Sequence, residues 1–364
     1  MRILHISSAK TFGGGERHLV DLCRELQMRG HEIFVALRPT NEWQDRLNFL
    51  PEGNILHVSI RNSFGMFSAK KIARYIEKNS IQVVHAHVAR DYLTASIATR
   101  SAGNSKMVLT RHVMFPMKPF YRFALRNVSA AIAVSPPVRD QLLQIFTAEK
   151  VTLIPNGITM PIDTANRTAS GMAFREMHNI PKAAPLIVTL GELKPLKGQR
   201  DFVLAANEVL KRLPDCRFVI AGKDNSIDQR FRRELKRLVR VLGHAESFLW
   251  LDWLDDLTPL LSAADLFVSP SHTESFGLAI LDAMAVGTPV VATETDGARE
   301  LMSATNALVP VKDPLALAET ICRFIENEDQ RRQLGKSLSI TARERFSLAS
   351  MVDATEALYQ EILR

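Results

Sequence analysis

Ser269-Pro-Ser-His-Thr-Glu-Ser-Phe-Gly-Leu-Ala-Ile-Leu-Asp-Ala-Met-Ala-Val-Gly-Thr-Pro-Val-Val-Ala292 is the stretch that decides the fold. It spells strand, loop, helix, turn, strand. Leu266 to Ser269 is an apolar run too short for a helix. Beyond Gly277, apolar residues recur at helical spacing from Leu278 to Val286. Gly287-Thr-Pro289 stops that helix, and Val290-Val-Ala292 reads as the next buried strand.

The polar residues are placed for anion chemistry. Glu274 falls in the loop at the carboxyl end of a strand. Phe276, Gly277 and Leu278 then present backbone N–H groups at a helix N-terminus. Such donors lack partners within the helix, and the helix dipole favours negative charge there, so phosphate is the natural ligand. Gly277 allows a ligand close to the backbone. Asp282, about one turn into the helix, adds a carboxylate suited to sugar hydroxyls.

These residues resemble the signature of the family-four retaining glycosyltransferases, whose pattern is Glu, seven residues, Glu, with Phe-Gly just after the first. Here Glu274, Phe276 and Gly277 match, and Asp282 stands where the second Glu is usual. The resemblance implies the GT-B fold: α/β, with two Rossmann-like βαβ domains facing each other across a cleft. The expected boundaries are 1–165 for an acceptor-side domain and 166–345 for a nucleotide-sugar-binding domain. A helix over 346–364 is expected to pack back on the first.

Length and composition agree with an ordinary globular chain of two domains: 364 residues, 46% hydrophobic and 23% charged. No apolar run approaches the ~18 residues that span a bilayer. The N-terminus enters a strand directly and is expected to be no signal peptide. Cys23, Cys216 and Cys322 are odd in number and widely spaced, which suits free thiols of a reducing compartment and no metal motif. The net charge of +7 is uneven. Residues 1–170 carry 22 Lys+Arg against 12 Asp+Glu, hence +10, and the remainder 24 against 27, hence −3. A basic first half suits an anionic partner or a solvated face.

Strands and helices alternate along the first half. Arg2 to Ser7 is a strand, Gly13-Gly-Gly15 a turn, and Glu16 to Arg29 a helix with Leu19, Leu22, Cys23 and Leu26 on one face. The glycines lack the Gly-x-Gly-x-x-Gly spacing and no Walker lysine follows, so neither a dinucleotide site nor an ATPase is indicated. His85-Ala-His87, the Thr-x-His ending at His112, Val134-Ser135 and Pro155-Asn-Gly157 resemble strand ends of the family's first domain. His85 and His87 share one face of a strand, but the sequence shows no third ligand nearby, and a metal site is not expected. Met114 to Phe123, followed by Arg126, mixes aromatics with cations, as a headgroup-facing segment or a packed loop would. The polar stretch Thr159–Lys182 reads as a linker.

In the second half, Pro185 to Leu190 is a buried strand, followed by Gly191-Glu-Leu-Lys-Pro-Leu-Lys-Gly198. Lys194 and Lys197 are placed to neutralise a diphosphate. The family's loop carries Gly-Arg and then Lys-Gly. Lys197-Gly198 fits, but Glu192 replaces the arginine. Gly222, ending the strand from Phe218, resembles the base pocket. Asp252 and Asp296 replace usual glycines. Arg230 to Arg240 reads as a solvated cationic face.

The resemblance implies sugar transfer from a nucleotide-diphosphate sugar, with retention, to a sugar or lipid-linked acceptor. Glu274, Lys197 and His112 are the expected catalytic residues. Gly14, Gly15, Lys194, Gly222, Phe276, Gly277, Leu278 and Asp282 are expected to bind the donor. No cofactor, metal or nucleic acid is expected. A cytoplasmic location is, with the basic half touching an anionic membrane face. The alternatives are a nucleotide-sugar epimerase or hydrolase on the same fold, and a weakened binding protein.

Overall fold

Short apolar segments, rich in Val, Ile, Leu and Ala and sheltered on both faces, form two parallel sheets in this computed structural model. It describes residues 1–364 apart from 61–64, 162–163 and 304. The chain divides into Met1–Gly157 with Leu348–Arg364 (unit 1) and Ile158–Ser347 (unit 2).

The sheet of unit 1 contains β1 (Arg2–Ser7), β2 (Glu32–Leu37), β3 (Ile55–His57), β4 (Val83–Ala86), β5 (Lys106–Arg111), β6 (Val128–Ala133) and β7 (Val151–Leu153), in the order β3-β2-β1-β4-β5-β6-β7. That of unit 2 contains β8 (Leu186–Leu190), β9 (Arg217–Ala221), β10 (Phe248–Leu251), β11 (Leu266–Ser269), β12 (Val290–Thr293) and β13 (Leu308–Val309), in the order β10-β9-β8-β11-β12-β13. Both are doubly wound α/β arrangements. In each, the order reverses between the first strand and the fourth, at β1/β4 and at β8/β11. Ligands of such sheets bind beyond the carboxyl ends of the strands at that reversal.

The helix Gly14–Met28 covers the β1 side of unit 1 with Leu19, Leu22, Cys23 and Leu26, all fully buried. The closing helix Leu348–Leu363 packs against it and adds Met351, Val352, Leu358 and Tyr359 to the same core. Its Glu356 pairs with Arg29 at 2.8 Å and His31 at 3.0 Å.

The stretch read as a linker is corrected here. Residues Thr164–Met177 form a helix of unit 2 that packs on the helix Thr258–Ala263. Gly171 explains the close approach: a Cβ there would lie 2.7 Å from the backbone of Ser262. The cationic stretch from Arg230 is also helical, but Arg232 is buried and not solvated.

Candidate active site

In unit 2 the loop after β11 and the turn after β8 are built as one piece. Gly198 adopts φ +68°, and a Cβ there would collide with the Pro270 carbonyl. The His272 amide donates to the Leu196 carbonyl at 2.9 Å, and the His272 ring meets the Asp201 carboxylate at 2.7 Å. Glu274 is fixed from behind, because its carbonyl accepts from the Gly297 amide at 2.9 Å. A Cβ on Gly297 would sit 2.5 Å from the Phe276 carbonyl, so only glycine lets that backbone so near.

This scaffold brings the Lys197 ammonium onto the Glu274 carboxylate, an ion pair whose side chains are 24% and 18% exposed and so remain reachable. Gly277, at φ +100°, opens the helix Leu278–Val286. The N-cap Gly277 has no side chain to cap that N-terminus and no acid lies in the helix's first turn, an arrangement that suits an anion. Phe276 is buried, with its ring edge-on to Phe346 and its backbone against Gly297. Asp282 is buried in the second turn.

Lys194 is drawn away from this centre. Its ammonium pairs with Glu192 at 2.5 Å, and Asn225 donates to the same carboxylate at 3.1 Å. Partial burial raises the Glu192 carboxyl, but Lys194 and Asn225 outweigh it and hold the group below its usual range. Gly222 packs backbone to backbone on Gly191, and a Cβ there would overlap the Gly191 carbonyl. Arg232, which sequence reasoning missed, donates to the Gly222 carbonyl at 2.6 Å and the Leu251 carbonyl at 2.9 Å, and pairs with Asp252 at 2.8 Å. An aspartate in place of the usual glycine thus has a buried guanidinium beside it.

In unit 1, Gly13 caps the helix Gly14–Met28, and a Cβ on Gly15 would touch the His112 ring at 3.7 Å. His112 is set edge-on to His18, with ring centroids 4.8 Å apart, and stacks at 6.0 Å on His87. His5 lies opposite His85 in the β1/β4 register, and its Nδ1 is 3.0 Å from His87 Nε2. His85 is held by Tyr359 Oη at 2.5 Å on Nδ1 and Thr110 Oγ1 at 2.7 Å on Nε2.

Burial lowers every one of these imidazoles: His5 to about 3, His18 to about 4 although the Asn156 side chain favours its protonated ring, and His85, His87 and His112 well below the usual value. At neutral pH the nest is uncharged. Asp91, whose carboxylate accepts from the Ser8 amide at 2.7 Å, is pushed up to about 6 by burial.

The third imidazole that the sequence did not show is therefore present. One ligand atom from each of His5, His85 and His87 lies within 4.8 Å of the others, and His18, His87 and His112 form a second such group. Both nitrogens of His85 are already bonded to hydroxyls, and His5 and His87 are bonded to each other. The donor set is thus bonded only in part: among the described residues His5 Nε2, His87 Nδ1 and His18 Nδ1 are buried with no hydrogen-bond partner. The signal that could have found it was His5 alternating into the same sheet face as His85.

The family model described as glycosyl transferases group 1 matches residues 184–327, and that described as glycosyltransferase family 4 matches 12–160. The N-acetyl-alpha-D-glucosaminyl L-malate synthase of Bacillus anthracis is 23% identical, with 99% of this chain and 97% of the relative aligned. The lipopolysaccharide core biosynthesis glycosyltransferase LpsE of Rhizobium meliloti is 24% identical, over 97% of both. A glycosyltransferase structure from Rickettsia africae ESF-5 superposes with TM-score 0.86 at 23% identity, covering 100% of this chain and 98% of that one. The Anabaena protein HepE, solved with UDP and glucose, superposes with TM-score 0.84 at 22% identity, covering 98% of each. One family model on each half and a shared fold from end to end place this chain among the family-four glycosyltransferases of the GT-B fold.

Proposed function

We propose that the protein transfers a sugar from a nucleotide-diphosphate sugar to a lipid-linked or polysaccharide acceptor, with retention at the anomeric carbon. The Lys197–Glu274 pair beside the uncapped helix N-terminus at Gly277 carries this reading. A diphosphate entering there meets an ammonium and the amides of a helix N-terminus, so Lys197 turns from Glu274 toward the phosphate as charge builds on the leaving group. Preorganised charge of this kind is commonly the largest catalytic term. Glu274, released from its partner, accepts hydrogen bonds from the donor sugar. Asp282 and the Gly222 strand end serve the nucleoside, and His112 with the Gly14-Gly15 turn serves sugar and acceptor hydroxyls as neutral partners. Lysine and amides supply the positive charge that a metal would otherwise bring.

The names of relatives support the acceptor class. LpsE builds lipopolysaccharide core, and the phosphatidyl-myo-inositol mannosyltransferase of Mycobacterium tuberculosis, 24% identical over 88% of this chain, is named for a phospholipid acceptor. Thermal shift against a panel of nucleotide-sugars selects the donor. Transfer of labelled sugar to lipid extracts, with NMR of the product's anomeric proton, then tests the reaction. Rapid hydrolysis or epimerisation of donor without acceptor would favour the alternative chemistry. Nucleotide binding without transfer to any acceptor would favour a weakened binder, in keeping with Lys194 being tied to Glu192.

A further inference from the structure

A second charged surface lies on unit 1, on the helix Met66–Lys78. The helix turns Ala69, Ile72, Ala73 and Ile76 into the core. Its outward side carries Lys70, Lys71, Arg74 and Lys78 against Glu77, four positive charges less one, hence +3. With Phe67 and Tyr75, these cations line a groove of about 620 Å³. Positions 67, 70, 71, 74, 75 and 78 follow helical spacing, so the groove is a continuous stripe. Among the described residues, none of the four cations is ion-paired. Lys71 reaches only the His57 carbonyl at 2.8 Å.

At the start of the stripe stand two apolar side chains with no core to enter: Phe67 is 93% exposed and Met66 69%. Exposed phenyl and thioether groups at one end of an unpaired cationic stripe match the chemistry of a membrane interface. There cations meet phosphates and apolar side chains enter the acyl boundary. The other aromatic–basic segment is less free. The Arg122 guanidinium donates to the Gln144 carbonyl at 2.8 Å, and Arg111 donates to the Phe115 carbonyl.

We propose that the Met66–Lys78 face docks on anionic phospholipid, with Phe67 and Met66 inserted among the headgroups and Lys70, Arg74 and Lys78 on their phosphates. This deepens the reading of a lipid-linked acceptor, because it names the surface that would hold the enzyme where such acceptors lie. A cation near such a surface contributes about 1 kcal/mol, roughly 5-fold in affinity, so three contribute on the order of 100-fold.

The test is flotation of the full chain with phosphatidylcholine vesicles, with and without phosphatidylglycerol, in the absence of any sugar donor. The parent should float only with phosphatidylglycerol, and less as salt rises from roughly 0.1 to 1 M. Lys70→Glu/Arg74→Glu/Lys78→Glu should weaken binding on the order of 100-fold or more. Phe67→Ser should weaken it about 10-fold, and Lys70→Arg/Arg74→Lys should bind like the parent. Equal flotation of the triple variant and the parent would overturn the proposal. So would loss confined to Arg122→Glu/Phe123→Ser, or tight binding of duplex DNA that ignores Phe67→Ser. Donor binding in solution is measured separately and should be unchanged in the triple variant. A failure of docking is thereby distinguished from a failure of the transferase reading.

Discussion

The two sheets share a strand order and finish it with opposite chemistry. At β1/β4 lie five uncharged imidazoles, four of them buried; His5 is bonded to His87, His85 is bonded to two hydroxyls, and His18 and His112 are in ring contact with them. Beyond β8/β11 lie two ion pairs open to solvent, Lys197 with Glu274 and Lys194 with Glu192. The proposed diphosphate site needs charge that can be redirected, and partly exposed lysines suit that need. The proposed contact of His112 with neutral hydroxyls needs a ring that does not change charge at working pH, and desolvation of the nest keeps it neutral. One topology therefore supports an electrostatic half and a hydrogen-bonding half.

Acid should break this contrast most strongly. The unfolded chain protonates histidine near its ordinary value, while folded His5 and His18 stay neutral down to about 3 and about 4. Stability present at pH 7 is therefore lost as pH falls below ~6.5, by about 3 kcal/mol for each of the two at pH ~4.5. Asp91, pushed up to about 6, acts in the opposite sense. It takes its proton while folded and recovers about 2 kcal/mol over the same range. Hydrogen exchange followed by mass spectrometry should show unit 1 peptides losing protection at higher pH than unit 2 peptides. Simultaneous loss would mean that the nest does not set acid stability.

Next comes Lys197→Ala, which removes the redirected charge. Transfer should fall about 10²–10³-fold, while the melting temperature moves little because the pair is partly exposed. An active, folded Lys197→Ala enzyme would remove this ammonium from the chemistry. In the neutral half, Tyr359→Phe deletes one hydroxyl from His85 and should cost unit 1 about 1–2 kcal/mol in urea unfolding. A variant as stable as the parent would show that His85 finds another partner. The smallest effect is expected from Glu192→Gln. It frees Lys194, so nucleoside diphosphate binding should tighten about 3-fold by calorimetry. Weaker binding would give Glu192 a role of its own.

Much of this was legible in the chain itself because its punctuation is local. Gly277, Gly287 and Pro289 mark the ends of the helix between β11 and β12 wherever the rest of the protein lies, and the Lys197-Gly198 turn is equally self-contained. What the sequence hid depends on distance along the chain. His5 meets His85 only through strand register, Tyr359 reaches His85 from the last helix, and Arg232 is buried by two strand ends that it also bonds. Lys197 and Glu274 were each visible, but their pairing was not. The helix Thr164–Met177 escaped for another reason. Gly171 replaces an apolar contact by backbone proximity and so weakens the amphipathic period.

The division of unit 1 into Met1–Gly157 and Leu348–Arg364 bears on how the protein is made. A ribosome delivers all of unit 2 before the segment that supplies Met351, Val352, Leu358 and Tyr359 to the core of unit 1. The first-made half must therefore wait, its helix Gly14–Met28 uncovered on one side, while the second-made half can finish. Nascent chains stalled just before Leu348 should accordingly yield a protease-resistant unit 2 beside a digestible unit 1. A resistant unit 1 in such chains would show that the late helix is an addition and not a keystone.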